Sequence, residues 1–390
     1  MMADFPLLTV LWAVPMLGAA VIILLPSAAR QFAKYAGIAV SLAVLAIALV
    51  LAVGFEPGGP NYQFVEDHPW IPSFGTGYIL GVDGIALALV LLTAVLVPLL
   101  LLAGWHDAPD ETAMSGRSTH AYVALTLAVE GMVLISLVAL DVLLFYVFFE
   151  AMLIPLYFLI GGYGASAQGR SKAAVKFLLY NLFGGLVMLA AVIGLYVVTA
   201  NSEVFDSGTF DFRAIVEAAS TGQLNASPAV LHALFFGFLF AFAVKAPLWP
   251  FHRWLPDAAV QATPATAVLM MSVVDKVGTF GMLRYCLQLF GDSATLFRPF
   301  VITLAVIGII VNIIAIKVVF EPGEPQPRYK YLWKQGLFAK RQHQAAHELA
   351  TMLSLQVLTV KNFAHELLEG ASADKTKALI EKFGKIGLSS

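Results

Sequence analysis

Charged residues are scarce in this sequence of 390 residues: Asp, Glu, Lys and Arg together make up 12% of it, whereas 59% is hydrophobic. A soluble protein of this length could not cover its surface with so few charges. The formal net charge is -2, so no basic excess favours binding to nucleic acid. The composition therefore indicates a protein whose solvent is the lipid bilayer.

Cysteine is almost absent, because Cys286 is the single one in the chain. One cysteine cannot build an intrachain disulfide, a cysteine-ligated iron-sulfur cluster or a thiolate zinc site. We therefore expect no metal or cofactor in this chain. Cys286 lies in an apolar run and is interpreted as a small core residue.

Long apolar runs recur along the chain, each close to the roughly 20 residues that a helix needs to cross a bilayer. The alternating pattern of a transmembrane barrel is absent. We therefore predict an all-α polytopic membrane protein with about nine transmembrane helices. The first run follows a leader with Asp4 and no Lys or Arg, and we interpret it as a helix, not a signal peptide. The predicted spans are 7–25, 35–55, 79–102, 121–140, 142–160, 174–199, 230–249, 265–290 and 300–320.

The seventh span is predicted to be broken after Lys245, because prolines cluster there. Each proline removes an amide donor and collides with the preceding turn of a helix. Broken backbone at membrane depth is tolerated only where protein buries it or where it lines a wet cavity. The prolines are Pro247, Pro250, Pro256 and Pro264.

Lys and Arg in the short loops predict the orientation, since such loops face the cytoplasm. We expect an external N-terminus and a cytoplasmic C-terminus. Arg284 and Arg298 oppose this rule, because they flank a loop that is predicted to lie outside. The cytoplasmic residues are Arg30, Lys34, Arg170, Lys172 and Arg253, and the opposite loops carry Glu56, Glu66, Asp67, Glu203, Asp206 and Asp211.

The chain becomes polar and Lys-rich from Glu321 onward, which predicts a boundary between a membrane domain (1–310) and the segment 311–390. The second segment would hold the end of the last helix and a small cytoplasmic α-helical tail. An amphipathic helix is indicated by apolar residues at helical spacing, with Gly370 as its stop. These residues are Ala345, Leu349, Met352, Leu353 and Leu355.

Three ionisable residues fall within predicted spans: Glu150, Lys245 and Lys276. A lone charge at the bilayer centre costs about 3 kcal/mol on insertion scales, so three are unexpected unless they have a role. In one interpretation Glu150 and Lys245 form a pair that only joins two helices. A structural pair needs no second lysine nearby, however, and opposing influences on Lys245 suit a group that takes up and releases protons. We predict that Glu150 lies near Lys245 and that the spans within 121–290 form one bundle.

Asp141, His252 and Asp275 are secondary candidates, and Glu130 is weighed beside Asp141. Asp275 precedes Lys276 and points about 100° away from it, so it can face a different neighbour. Asp141 and Glu130 lie near span ends, where they could reach lipid headgroups or serve in function. His252 lies in the broken segment and is either a solvated loop histidine or an ion contact.

Four stretches resemble the antiporter-like subunit M of bacterial NADH:quinone oxidoreductase, respiratory complex I. They are LGVDGIALAL, ALDVLLFYVFFEAMLIPLYFLIGGYG, KFLLYNLFGGLVML, and FAFAVKAPLWPFHRWLPDAAVQATPATAVLMMSVVDKVGTFGMLRY. The resemblance implies that Glu150, Lys245 and Lys276 belong to a proton-carrying axis. It also implies other membrane subunits of complex I as partners. NADH, FMN, iron-sulfur clusters and quinone would bind only in those partners.

The resemblance ends near residue 310. The family has two inverted repeats, each giving one half-channel, and only the first, about 121–290, is whole here. The remainder resembles uncharacterised bacterial membrane-anchored proteins, which indicates a fusion whose tail partner is unknown. Two alternatives stay open: a subunit of a multi-subunit cation/proton antiporter, and a non-transporting membrane scaffold.

Overall fold

The computed structural model describes residues 5–26, 29, 32–105, 107, 118–164 and 167–320. The polar tail, including the apolar stripe from Ala345 to Leu355 and the stop at Gly370, lies outside the described residues, as do Asp4 and Arg30. The chain divides into two units, Met1–Ala305 and Val306–Ser390. The second unit is described only as far as Phe320.

Helices dominate the described residues, whose sheet is one two-stranded hairpin, and this confirms the predicted all-α membrane fold. Seven helical stretches of the described residues are long and apolar enough to cross a membrane, and Leu7–Ile23 and Arg298–Ile310 are shorter apolar helices. In chain order the elements are α1 Leu7–Ile23, α2 Ala33–Gly54, β1 Gln63–Ile71, β2 Thr76–Val82, α3 Gly84–Ala103, α4 Thr119–Val138, α5 Val142–Ala151, α6 Leu153–Tyr163, α7 Ala167–Ala200, α8 Phe212–Ser220, α9 Pro228–Lys245, α10 Trp254–Gln261, α11 Pro264–Leu269, α12 Asp275–Gly281, α13 Leu287–Leu289, α14 Gly291–Leu296 and α15 Arg298–Phe320.

The third predicted span starts too early, because residues 79–82 belong to strand β2 and not to a helix. β2 pairs antiparallel with β1, with Glu66 opposite Leu80 and His68 opposite Tyr78. The helix α3 begins only after Asp83, whose carboxylate accepts a hydrogen bond from the amide of Ala86. An N-cap of this kind satisfies one of the free amides at a helix start.

Strand β1 also caps α1. The carboxylate of Glu66 accepts hydrogen bonds from the backbone amides of Leu8, at 2.7 Å, and Thr9, at 3.2 Å. A negative group at a helix N-terminus is favoured by the exposed amides and the helix dipole. The hairpin therefore ties the first helix to the start of α3.

Arg284 lies inside the eighth span and is buried, whereas the loop-charge pattern treats it as the end of an outside loop. Its side chain is 1% exposed and its Nη2 atom lies 2.6 Å from Oδ2 of Asp83. The guanidinium also lies 4.6 Å from the ring centre of Phe280. Arg284 thus joins the eighth span to the start of α3.

The central helix of the bundle is α4, in which 78% of the span is buried. It packs against α1 at Gly131, where an added Cβ atom would overlap Met16. Close approach at a glycine is a common way for membrane helices to associate. A turn of residues 139–141 joins α4 to α5, so the two helices run antiparallel beside each other.

Candidate functional site

The helix α9 ends at Lys245, which confirms the predicted break in the seventh span. A single 3-10 turn, Phe251–Arg253, follows the break, and helix resumes at Trp254 as α10. The carbonyl groups left free by the break find other donors. Leu248 donates its amide to the carbonyl of Ala243, at 2.8 Å, and the indole of Trp254 donates to that of Val244, at 2.9 Å.

The side chain of Lys245 is buried in the bundle, with 2% of its surface exposed. Its ammonium donates a hydrogen bond to the backbone carbonyl of Phe149 on α5, with 2.5 Å between the two atoms. The same Nζ atom lies 3.8 Å from the centre of the Phe149 ring. An ammonium over an aromatic face is stabilised electrostatically. The helix break therefore delivers a cation to the C-terminal end of α5.

Glu150 is the next residue after Phe149, so the structure brings it into the neighbourhood of Lys245, as predicted. The two charged groups interact electrostatically, but the carboxylate oxygens of Glu150 are buried and accept no hydrogen bond from any described residue. The carboxylate lies against Gly185 of α7, where an added Cβ atom would overlap it. Lys245 and Glu150 are thus close neighbours without a direct hydrogen bond.

Asn181 is a polar neighbour that the sequence analysis missed. It lies four residues, or one helical turn, before Gly185 on α7 and is 2% exposed. Its amide nitrogen donates to the carbonyl of Phe177, whereas its Oδ1 atom has no partner among the described residues. An amide side chain inside the apolar stretch KFLLYNLFGG was the signal that could have identified it.

Asp275 joins this group from α12. Gly278 and Gly281 place α12 close to the end of α9, since added Cβ atoms there would press on Ala246 and Phe242. Asp275 shares that face of α12, is 7% exposed and interacts electrostatically with Lys245. Its Oδ1 atom has no described hydrogen-bond partner. The site therefore holds two carboxylates around one buried ammonium.

Lys276, by contrast, is exposed on the surface of the described chain. The expectation that it is buried beside Lys245 is wrong. Successive residues of a helix point about 100° apart. Asp275 takes the inward direction, which leaves Lys276 facing away from the bundle. The inward residue is selected by two π-helical stretches, Met270–Val274 and Met282–Cys286, that flank α12.

Asp141 is buried where α5 meets strand β2 and does not reach lipid headgroups. Its carboxylate accepts hydrogen bonds from the backbone amides of Leu144 and Gly77, each at 2.9 Å, and from the hydroxyl of Thr76 at 3.0 Å. Burial raises the pKa of Asp141 to about 6, although these donors act in the opposite direction. The residue caps α5 and fastens it to β2, which is a structural role.

His252 lies in the 3-10 turn beyond the break. Its ring is half-buried, and the Nδ1 atom is buried without a partner among the described residues. Glu130 is fully buried in α4, so it does not reach the headgroups either. No group of three His, Cys, Asp or Glu side chains within the described part of the chain could hold a metal ion.

The sequence matches the transmembrane family described as NADH:quinone oxidoreductase/Mrp antiporter over residues 139–318. NADH-quinone oxidoreductase subunit M of Mycobacterium tuberculosis (strain ATCC 25618 / H37Rv) is 64% identical over 331 residues, which cover 79% of this chain and 59% of the relative. Subunit M of Rhodobacter capsulatus is 37% identical over 309 residues, covering 78% of this chain and 58% of the relative. The chain thus spans about three fifths of the length of these relatives.

Among solved structures, respiratory complex I from Thermus thermophilus with bound NADH contains a similar chain. The TM-score is 0.63 at 25% sequence identity, and the match covers 80% of this chain and 58% of the other. None of the three matches accounts for the whole of the present chain.

Proposed function

Because the membrane domain of this chain belongs to the NADH:quinone oxidoreductase/Mrp antiporter family, we propose that it is a proton-translocating membrane subunit of a respiratory NADH:quinone oxidoreductase. The observation that carries the proposal is the position of Lys245. It is a buried ammonium at a helix break, next to Glu150 and Asp275. Ionisable residues inside membrane spans mark ion pathways and proton relays.

In this proposal Lys245 holds a proton that it passes on when the balance of charges around it changes. Glu150 and Asp275 favour the ammonium, and burial disfavours it. A proton gained or lost by either carboxylate shifts that balance, so the three groups titrate as a coupled unit. The proton leaves Lys245 as H⁺, and the neutral amine then accepts another. No bond to a substrate forms, and this chain needs no redox group for the step.

Lys276 is proposed as the next relay group, and its exposure supports the presence of partners. It lies in the middle of the span Pro264–Leu289. A lysine facing hydrocarbon at that depth would cost about 3 kcal/mol, so we infer that further membrane protein covers this face. The partners would be other membrane subunits of complex I, which would also supply NADH, FMN, iron-sulfur cluster and quinone binding. The proposed location is a bacterial inner membrane, with the N-terminus outside and the tail in the cytoplasm.

An affinity-tagged chain purified from its native membrane tests the assignment. We expect NADH-oxidising subunits to co-purify, and the isolated assembly in vesicles to acidify one compartment when NADH and quinone are added. Co-purification with antiporter subunits and no NADH oxidation would favour a multi-subunit cation/proton antiporter. An assembly that oxidises NADH with this chain present and moves no proton through it would favour the scaffold alternative.

A further inference from the structure

Glu130 is a buried acidic residue that the relay described above does not use. Its side chain is 0% exposed, and both carboxylate oxygens lack a hydrogen-bond partner among the described residues. No described Lys, Arg or His forms an ion pair with it. An unpaired buried carboxyl group costs free energy that an apolar side chain of the same size would not. Glu130 therefore needs a reason other than packing.

The packing of α4 turns Glu130 away from the nearest neighbouring helix. Gly131 is the contact point with α1, where an added Cβ atom would overlap Met16. Adjacent helical residues point about 100° apart, so Glu130 faces to the side of that contact. The close approach at Gly131 fixes the rotation of α4 and hence the direction of the carboxyl group.

A line of hydroxyl groups leads along α4 to Glu130. Tyr122, Thr126 and Glu130 follow one another at a spacing of four residues, which places them along one side of the helix over about 12 Å. The hydroxyl of Tyr122 lies 3.2 Å from Oγ1 of Thr263 and 3.4 Å from Oγ1 of Thr266. Thr126 is buried. Each hydroxyl can donate one hydrogen bond and accept another, as a proton path requires.

The start of this line is open to a charged group and to water. The hydroxyl of Tyr122 donates to Oδ2 of Asp107, at 3.4 Å, and Asp107 is only half-buried. Tyr122 and Lys34 border a small cavity of about 10 Å³, which is the space that one water molecule needs. A proton can therefore reach the hydroxyl of Tyr122 from the membrane side at which α4 begins.

The end of the line lies at the depth of the relay. Asp141 ends the short connection between α4 and α5. Glu130 precedes it by 11 residues, and Glu150 follows it by 9 residues. At 1.5 Å per residue, antiparallel helices place the two carboxyl groups within about 3 Å of the same depth. A proton held by Glu130 has thus crossed the same share of the membrane as one held at Glu150.

We propose that Glu130 is a further proton-binding residue of the membrane domain, loaded from the side where α4 begins through the hydroxyl groups of Tyr122, Thr266 and Thr126. Each hydroxyl accepts one proton and releases its own. The Thr126 hydroxyl turns from the Tyr122 carbonyl toward Glu130 to do so, and its proton forms an O–H bond on the Glu130 carboxylate. The inference rests on the proposed function, because only a proton-moving protein has use for such a group.

Infrared spectroscopy of the full chain in lipid tests the path without any pumping. We expect a protonated-carboxyl band that disappears in Glu130→Gln and that shifts when the water is replaced by D₂O. Thr126→Val keeps the shape of the side chain and removes its hydroxyl, and it should slow this shift about tenfold. The control is Ser136→Ala, a buried hydroxyl that lies beyond Glu130 and donates to the carbonyl of Met132. An exchange rate that Thr126→Val leaves unchanged, or the lack of any Glu130 band, overturns the proposal.

Proton pumping by the assembled complex separates this inference from the proposed function. Glu130→Gln should assemble and pump roughly tenfold less, whereas Glu130→Asp, which keeps a carboxyl group, should recover part of the loss. If Lys245→Ala stops pumping and Glu130→Gln does not, only the role of Glu130 is wrong. If neither variant alters pumping, the proposed function fails as well. Should Glu130→Gln not assemble, the exchange rate in Thr126→Val decides.

Discussion

The ammonium of Lys245 reaches across the bundle to the backbone carbonyl of Phe149, 2.5 Å away, and so ends one residue from Glu150. This contact uses a carbonyl group of α5 and leaves the Glu150 carboxylate free of a direct bond. A proton relay benefits from that arrangement, because a tight ion pair would hold both charges in place. The charge of Lys245 is compensated by neighbours that can themselves change protonation.

Gly185→Ala should impair proton pumping without preventing assembly. An added Cβ atom would overlap the Glu150 carboxylate, so the carboxylate must move away from its present position. The helix itself should tolerate the change, since alanine favours helix over glycine by about 1 kcal/mol. Vesicle acidification and a native gel would measure the two effects. Gly162→Ala is the matched control, because open space surrounds that glycine on α6. Full pumping by the Gly185 variant would mean that the position of Glu150 does not matter.

Arg284→Met should destabilise the chain by about 3 kcal/mol, because it removes the partner of Asp83 at a buried site. Thermal unfolding in detergent would detect the loss as a lower midpoint. Arg298→Met is the control: the same substitution falls on an exposed residue and should change stability by less than about 0.5 kcal/mol. Equal midpoints for the two variants would mean that the ion pair of Arg284 with Asp83 does not stabilise the contact between the eighth span and α3.

Asp141 should make the stability depend on pH. Burial raises the pKa of this carboxyl group to about 6 in the folded chain from its ordinary value of 3.8. Between these values the folded state keeps a proton that the unfolded state releases, so this contribution is complete below pH 3.8 and is lost as the pH rises through about 6. The unfolding temperature in detergent should therefore fall over that range.

Asp141→Asn should remove this part of the pH dependence, since the amide does not titrate. Asp206→Asn, at an exposed loop position, should leave the profile as it is in the unaltered chain. A slope that persists in Asp141→Asn would assign the pH dependence to a different group.

The sequence was sufficient to predict the membrane fold and the break at Lys245, because both depend on local chemistry. Apolar runs specify spans, and Pro247 and Pro250 together remove two amide donors within one turn, which ends the helix there. The hairpin was missed since the apolar residues of β2 continue directly into α3, and a short apolar run does not distinguish a strand from the start of a helix.

The choice between Asp275 and Lys276 could not be made from the sequence. Adjacent residues differ by about 100° in direction, and the π-helical stretches on either side of α12 change the rotation in a way that composition does not show. The burial of Glu130 was missed for a related reason. The position of Glu130 along α4 can be read from the sequence. Its burial cannot, because the helices that enclose α4 are far apart in the chain.

The central claim is that Lys245 holds the proton that this chain moves, and pumping by Lys245→Ala tests it most directly. The variant is placed in the full complex, assembly is checked on a native gel, and NADH-driven acidification is measured in vesicles. Lys172→Ala serves as the control, because that lysine is exposed at the start of α7. The account predicts that the assembled Lys245 variant does not pump and that the Lys172 variant pumps normally. Normal pumping by an assembled Lys245→Ala complex would contradict the account and leave Lys245 as a structural partner of α5.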